Sequence, residues 1–151
     1  PSGAYACVVE VDRDTGDVKI VKMALVDDCG TVINPLLAEG QVHGGVAQGI
    51  AQALFESVQY EPTSGQPITS NLLDYLVPSA ADIPEFEAGR INTPCPNNPL
   101  GAKGIGESGA VGAPPSVINA IVDALSEYGV DHIDMPAAPE KVWALMQGGT
   151  S

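Results

Sequence analysis

The sequence has 151 residues, 44% of them hydrophobic, and this content is typical of a folded globular chain rather than a disordered one. The formal net charge is −13, with only six Lys and Arg residues in the whole sequence. Because nucleic acids are bound chiefly through basic side chains on their phosphates, this balance excludes a nucleic-acid partner. A chain of this length supports one substantial core, so we expect a single domain over residues 1–151.

Two further features concern the setting in which the chain works. No segment reaches the roughly 18 consecutive apolar residues of a membrane-spanning helix. The three cysteines (Cys7, Cys29 and Cys95) are far apart and have no metal-binding spacing. We interpret them as reduced thiols, which indicate a cytoplasmic location, with the periplasm as the alternative. The sequence starts without methionine and enters a strand pattern almost at once, so we expect a piece of a longer or processed subunit.

The first part of the chain predicts a β-hairpin followed by a long helix. Ala6 to Val11 and Val18 to Val26 have the apolar pattern of strands, and the turn residues between them predict a hairpin. Asn34 and Pro35 form a helix start signal, with Asn as the N-cap. The predicted helix continues to Ser57.

Four glycines lie within this predicted helix: Gly40, Gly44, Gly45 and Gly49. Each glycine costs about 0.8–1 kcal/mol relative to alanine in a helix interior. A helix that retains all of them must therefore have another helix or a ligand pressed against its backbone. Uncharged hydrogen-bonding side chains accompany the glycines, and three fall near one edge of the helix: Gln41, Gln48 and Gln52.

The remainder of the chain predicts shorter elements. Strands are expected at Ser57 to Pro62, Ile68 to Leu76, Phe86 to Asn92 and Val130 to Ile133, and helices at Pro114 to Tyr128 and Glu140 to Met146. Asp27 and Asp28, which close the second strand, are interpreted as turn-capping residues. Together the elements favour an α+β fold, in which a mixed sheet with hairpins packs against the glycine-rich helix and two further helices.

The segment from Asn97 to Pro115 gives the strongest indication of a site. Five glycines surround a single carboxylate, that of Glu107: they are Gly101, Gly104, Gly106, Gly109 and Gly112. Glycine lets a ligand approach the main chain closely, and a helix start favours anionic groups. A carboxylate enclosed by glycines and apolar residues would be desolvated, which favours its use as a general base. The alternative interpretation of Glu107 is a loop acid that caps a backbone amide.

Other catalytic motifs fit the sequence poorly. The segment Gly104 to Gly109 has the G-x-G-x-x-G spacing of dinucleotide-binding loops, but such a loop needs a preceding strand. The residues before it are PCPNNPLGAK, whose prolines exclude a central strand. A nucleotide-binding domain is therefore only the third hypothesis. The sequence contains neither a Walker A motif nor a hydrolase nucleophile elbow, and His43 is interpreted as a polar residue on a helix face.

Three blocks of the sequence resemble one known family. In chain order they are DDCGTVINPLLAEGQVHGGVAQGIAQALFE, SNLLDYLVPSAADIP and NNPLGAKGIGESGAVGAPPSVINAIVDAL. They are similar to the C-terminal part of the large, molybdopterin-binding subunit of the molybdenum hydroxylases. This family includes xanthine oxidase, aldehyde oxidoreductase and carbon monoxide dehydrogenase. The resemblance covers residues 5 to 146 and implies a fold of the molybdenum-cofactor-binding type.

The resemblance also implies roles for individual residues. Glu107 matches the active-site base that lies beside molybdenum in this family. Gln41 matches a glutamine that contacts the molybdopterin. The loop that lies along the cofactor corresponds to Lys103, Gly104, Ile105 and Gly106. No direct protein ligand to molybdenum is implied.

The reaction implied by the resemblance is oxidation of an aldehyde, an N-heterocycle or carbon monoxide, with water as the oxygen donor. The implied cofactor is molybdenum–molybdopterin in its cytosine dinucleotide form. The implied partners are the remainder of the large subunit and separate chains that carry [2Fe–2S] clusters and FAD, so we expect this chain to be inactive by itself. The alternative function is a non-catalytic assembly or interaction module that retains the fold.

Overall fold

The computed structural model describes residues 1–149, and the strands among them form a mixed three-stranded sheet. β1 (Ser2–Val11) pairs antiparallel with β2 (Val18–Asp28), and β2 pairs in parallel with β3 (Phe86–Ile91). This confirms the predicted hairpin and the predicted strand after residue 85. The turn between β1 and β2 is fixed by Asp12, whose carboxylate accepts hydrogen bonds from the amides of the next turn residues.

The α-helices of the described residues are α1 (Pro35–Leu54), α2 (Ser108–Ala124) and α3 (Pro139–Met146). A 3-10 turn, Ser126–Tyr128, follows α2. With the mixed sheet, the glycine-rich α1 and two further helices, the arrangement confirms the predicted α+β fold. None of the helices within residues 1–149 has both the length and the apolar character needed to cross a membrane.

Helix α1 begins at the predicted signal. Asn34 Oδ1 accepts a hydrogen bond of 3.2 Å from the amide of Leu37, and Pro35 occupies the first turn, where its missing N–H is not needed. The helix ends at Leu54, shortly before the predicted end at Ser57. The local capping signal therefore fixes the start of α1 more accurately than the apolar pattern fixes its end.

The glycines of α1 divide into two pairs. Gly45 and Gly49 face α2, because a Cβ added at Gly45 would lie 3.1 Å from the amide nitrogen of Ala110, and one added at Gly49 would lie 2.7 Å from the Cβ of Ala113. This confirms that another helix lies against the α1 backbone. Gly40 and Gly44 face open space instead, since a Cβ at either position would meet no atom within 4 Å.

Helix α2 begins at Ser108 rather than at the predicted Pro114, so the sequence-based start was wrong. The prediction treated glycines as loop residues and prolines as a helix start, which is their usual local preference. Packing overrides that preference here. A Cβ at Gly109 would lie 2.5 Å from the amide nitrogen of Val46, and the ring of Pro114 lies against Gly49. Close contact between the two helix backbones thus stabilises a turn whose intrinsic propensity is low.

The predicted strands at Ser57 to Pro62, Ile68 to Leu76 and Val130 to Ile133 do not form. An isolated bridge joins Tyr60, in the first of these segments, to Pro67, which precedes the second. The prediction failed because short apolar runs do not distinguish strands from irregular segments. Ile133 lies in the core without belonging to a strand, whereas Leu72 and Leu73 are largely exposed.

The hydrophobic core joins β2 to all three helices. Its fully buried members include Met23, Leu25, Val46, Ile50, Val117, Ile121, Ile133 and Val142. Burying one such side chain contributes about 1.5–3 kcal/mol, so this cluster fixes the helices against the sheet. As a result, the start of α1 and the loop that leads into α2 lie side by side.

Candidate functional site

The predicted site residues come from two elements that meet near the start of α1. Gln41 lies in the second turn of α1, and Lys103 and Ile105 lie in the loop before α2. All three line one cavity of about 260 Å³. A Cβ added at Gly106 would lie 3.8 Å from Gln41 Oε1, so the end of this loop also faces the glutamine amide. The structure therefore brings Gln41 together with the loop.

Glu107 directly follows this loop and occupies the N-cap position of α2. Its side chain makes no capping hydrogen bond, so the alternative interpretation as a capping acid finds no support. It lines a second cavity, of about 300 Å³, together with Tyr5, Asp27 and Ser108. Glu107 is exposed, and the expectation that glycines and apolar residues enclose it is wrong for the described residues. The missing enclosure follows from the open glycines beside it, which supply no side chains to cover the carboxylate.

The surface around Gln41 combines exposed main chain with a hydrogen-bonding side chain. Gly40, Gly44 and Gly104 leave the main chain uncovered, since an added Cβ at any of them would meet no atom within 4 Å. The exposed amide of Gln41 can both donate and accept hydrogen bonds. These residues fit a pterin, whose ring edge carries donors and acceptors. Within residues 1–149, no group of three or more His, Cys, Asp or Glu side chains is arranged to hold a metal ion.

Asp28 holds the loop from the opposite side. Its Oδ1 accepts hydrogen bonds from the amides of Gly30 (2.9 Å) and Thr93 (3.2 Å), and its Oδ2 accepts one from Lys103 Nζ (3.1 Å). Hydrogen bonds, chiefly from the Thr93 side chain and then from the Gly30 amide, hold the pKa of Asp28 well below its usual range. The bond to Gly30 confirms the predicted turn-capping role. The contacts with Thr93 and Lys103 were missed because they join distant parts of the chain.

Asp27 was also predicted to cap a turn, but it serves a different purpose. It is buried and accepts a hydrogen bond from the Tyr5 hydroxyl, which lies 2.9 Å from each carboxylate oxygen. Burial and this bond raise the pKa of Tyr5 far above its usual range. The Tyr5 ring packs on Gly112 of α2, where a Cβ would lie 2.6 Å from ring atom Cε2. Asp27 and Tyr5 therefore connect β2, β1 and the first turns of α2.

His43 lies away from these residues, at a cavity of about 570 Å³ between α1 and the segment that includes Val77 and Ile83. Its ring meets Phe86 edge to face, with 5.4 Å between the ring centroids. This cavity is larger than the other two, but none of the predicted site residues lines it. The contact with Phe86 agrees with the interpretation of His43 as a helix-face residue.

Comparison with known proteins identifies relatives along almost the whole chain. A family model described as a molybdopterin cofactor-binding domain matches residues 1–84, which include Gln41. Over 147 residues, the chain is 43% identical to the carbon monoxide dehydrogenase large chain of Hydrogenophaga pseudoflava and 45% identical to the nicotine 6-hydroxylase large subunit of Paenarthrobacter nicotinovorans. Each match covers 97% of this chain and 18% of the relative.

A solved structure shows the same fold. The reconstituted CO dehydrogenase from Oligotropha carboxidovorans superposes with a TM-score of 0.93 at 38% sequence identity. The match covers 97% of this chain and 18% of that chain. The sequence thus spans about a fifth of the length of the relatives that it matches.

Proposed function

This chain belongs to the molybdopterin cofactor-binding domain family, and from that premise we propose that it forms one domain of the large subunit of a molybdenum-dependent oxidoreductase. Similarity over 97% of the chain to a carbon monoxide dehydrogenase large chain and to a nicotine 6-hydroxylase large subunit supports this assignment. The chain spans 18% of their length, which supports its being one part of a longer subunit. We further propose that this part is the C-terminal domain and that it is inactive alone.

In this proposal Glu107 is the general base. A carboxylate within hydrogen-bonding reach of a reacting group can accept its proton in the transition state. The observation that carries the assignment is that Glu107 stands where the glycine loop meets α2 and makes no capping hydrogen bond. Its neighbour Gly106 faces the amide of Gln41, whereas the exposed Glu107 side chain lines the second cavity, with Tyr5 and Asp27. The position thus leaves the carboxylate available to a group bound there.

The surface around Gln41 holds the cofactor in this proposal. Bound molybdopterin supplies the metal and the redox chemistry of the reaction. The Gln41 amide would hold the pterin edge by hydrogen bonds, and the main chain of the loop would contact the cofactor. The loop residues are Lys103, Gly104, Ile105 and Gly106. The glycines permit this contact because no side chain intervenes. We further propose the cytosine dinucleotide form of the cofactor.

The reaction that follows is oxidation of a small aldehyde, N-heterocycle or carbon monoxide, with water as the oxygen donor. The names of the relatives support this range, since one is a carbon monoxide dehydrogenase and another a nicotine hydroxylase. Electrons would leave through [2Fe–2S] clusters and FAD on partner chains. One relative is named as a subunit of a dehydrogenase complex, which supports a multi-subunit assembly.

Replacing Glu107 with glutamine in the complete enzyme tests the assignment. The E107Q side chain keeps its size but cannot accept the proton, so we expect turnover to fall by about 10²–10⁴-fold. Molybdenum and pterin contents should remain at the level of the unchanged enzyme. The control is Glu140→Gln, at an exposed acid in the first turn of α3, which should leave turnover unaltered. Normal turnover in the E107Q enzyme would show that Glu107 is not the base.

A non-catalytic assembly module is the second candidate function. The exposure of Glu107 and of large apolar residues such as Leu36 and Leu37 favours it, because interaction surfaces are often apolar. Measurement of molybdenum and pterin in the reconstituted assembly separates the two candidates. The catalytic proposal predicts both components, whereas a purely structural module predicts neither.

A further inference from the structure

The most buried ion pair of the described residues involves Lys103, which lies four residues before the proposed base, Glu107. Lys103 Nζ is 3.1 Å from Asp28 Oδ2, and the two side chains are only 21% and 10% exposed. The pair formed by Lys22 and Glu87 is much more open, with both side chains more than half exposed. Exposed pairs contribute little, but a shielded pair with additional hydrogen bonds holds its partners firmly. The ammonium of Lys103 is therefore bound within the protein itself.

Asp28 connects three separate segments through this pair. Its Oδ1 accepts from the amides of Gly30, just after β2, and Thr93, just after β3, while Oδ2 meets Lys103 in the loop before α2. The two carboxylate oxygens thus serve different functions. One organises the ends of the neighbouring strands, and the other fixes the loop to them.

Main-chain hydrogen bonds to distant segments hold the loop up to Lys103, whereas beyond Lys103 the loop makes only a local bond of 3.3 Å among the described residues, from the Ser108 amide to the Ile105 carbonyl. The carbonyl of Gly101 accepts from the amides of Thr31 (2.9 Å) and Cys95 (2.8 Å), and the amide of Lys103 donates to the carbonyl of Cys29 (2.7 Å). Gly101 makes this crossing possible, because its φ of 67° is favourable only for glycine. Beyond Lys103, Gly104 and Gly106 have no side chains, and Ile105 packs partly against the core through apolar contacts. The Lys103 side chain is therefore the last charged anchor before Glu107.

We propose that Asp28 is a positioning residue for Glu107 and that the Lys103 ammonium is the tether between Asp28 and the loop, not a contact to the cofactor. The inference rests on the proposed role of Glu107 as the base. Without the tether, the glycine-rich segment between Lys103 and Glu107 samples more backbone conformations. A displacement of about 1 Å at a catalytic group can reduce the rate by about 100-fold.

Two substitutions in the complete enzyme remove the tether from either side. D28N keeps an oxygen for the Gly30 and Thr93 amides but lacks the charge that binds Lys103, and K103M removes the ammonium. We expect each to lower kcat by about 100-fold, with KM and with molybdenum and pterin contents unchanged. The D28N/K103M double variant should be no worse than either single variant, because both remove the same interaction. K103R should recover part of the lost rate, since it restores the positive charge.

Hydrogen exchange gives a readout that does not depend on catalysis. The amides of Lys103 and Ser108, which donate to the carbonyls of Cys29 and Ile105, should exchange faster in D28N and in K103M, whereas the strand amides of β1 and β2 should be unaffected. The matched control is Lys22→Met, which removes the exposed pair with Glu87 and should change neither exchange nor kcat. If D28N does not fold, K103M alone provides the same comparison.

Three results would overturn the inference. Unchanged kcat and unchanged exchange in both single variants would show that the loop needs no tether. Additive losses in the double variant would show that the two residues act separately. Lower pterin content in K103M but not in D28N would make the ammonium a cofactor contact. Normal turnover in E107Q would instead refute the proposed base, while the exchange measurement would still decide whether the tether exists.

Discussion

Glu107 occupies the position before the first helical residue of α2, where an acidic side chain commonly caps an amide of the first turn. Here no such bond forms, and the residue is exposed at the second cavity. Two adjacent aspartates determine the geometry around it. Asp28 holds the loop before Glu107 through Lys103, and Asp27 supports the helix after it through Tyr5 and Gly112. The main chain on both sides of Glu107 is thus held in place, whereas the Glu107 side chain makes no capping hydrogen bond.

The lowered pKa of Asp28 predicts how acid affects stability. The unfolded chain binds a proton at this carboxylate near pH 3.9, whereas the folded protein does so only at a lower pH. The stabilisation from Asp28 is therefore complete above the unfolded pKa and is lost as the pH falls toward the folded pKa. We expect the difference in free energy of unfolding between the unchanged protein and D28N to be constant above about pH 5 and to shrink below about pH 4.

Denaturant titrations across this pH range measure the difference directly. Asp131→Asn, at an exposed carboxylate, is the control and should produce no comparable trend. A difference between D28N and the unchanged protein that stays constant down to pH values well below about 4 would show that the Asp28 carboxylate does not stabilise the folded state.

At the scale of elements, α1 and α2 cross with their backbones in contact. This contact predicts opposite effects of alanine at two glycines. Gly109→Ala would place a Cβ 2.7 Å from the carbonyl oxygen of Val42, where neither helix backbone can yield easily. We expect it to destabilise the protein by about 1–3 kcal/mol, as overpacking does. Gly44→Ala meets open space and should stabilise it by up to about 1 kcal/mol through the higher helix propensity of alanine.

Chemical denaturation of the two variants gives the comparison, and each serves as the other's control because the substitution is the same. Equal effects at both positions would indicate that propensity alone governs these helices. A stabilised Gly109→Ala variant would mean that the two helices do not approach each other at this residue.

The sequence predicted the elements whose signals are local. Asn34 and Pro35 mark the start of α1 because the cap bond is made within the first turn. The start of α2 could not be found in this way, since Gly109 is helical only because α1 lies against it. Leu72 and Leu73 misled the strand prediction because their apolar side chains are exposed rather than paired in a sheet.

Prediction of the candidate site shows the same difference between local signals and contacts of distant residues. The glycine run around Glu107 and the resemblance to the molybdenum hydroxylases point to the loop and to Gln41. The contacts of Asp28 join residues 65 and 75 positions apart in the sequence, so no local pattern predicts them. An aspartate at position 28, after β2, is typical of a turn cap. The structure shows this role in the bond to Gly30, together with the contacts to the distant residues Thr93 and Lys103.

For the whole molecule, the exposed apolar residues fit the proposed place in a longer subunit. Leu36 is 79% exposed and Leu72 is 80% exposed, and each is followed by another exposed leucine, Leu37 and Leu73. Grouped exposed apolar side chains are typical of surfaces that contact other protein. The chain spans 18% of the relatives that it matches. We propose that the remainder of the large subunit covers these side chains and also encloses Glu107.

The most direct test is an experimental structure of the complete enzyme with its cofactor. It measures the distance between the Glu107 carboxylate and the metal-bound reacting group. We predict direct hydrogen-bonding reach, about 2.6–3.2 Å, or contact through one water molecule. We also predict that the Gln41 amide and the main chain of residues 103 to 106 lie against the pterin. A Glu107 carboxylate that points into solvent, with the molybdenum beyond the reach of one water molecule, would contradict the proposed role of Glu107 as the base.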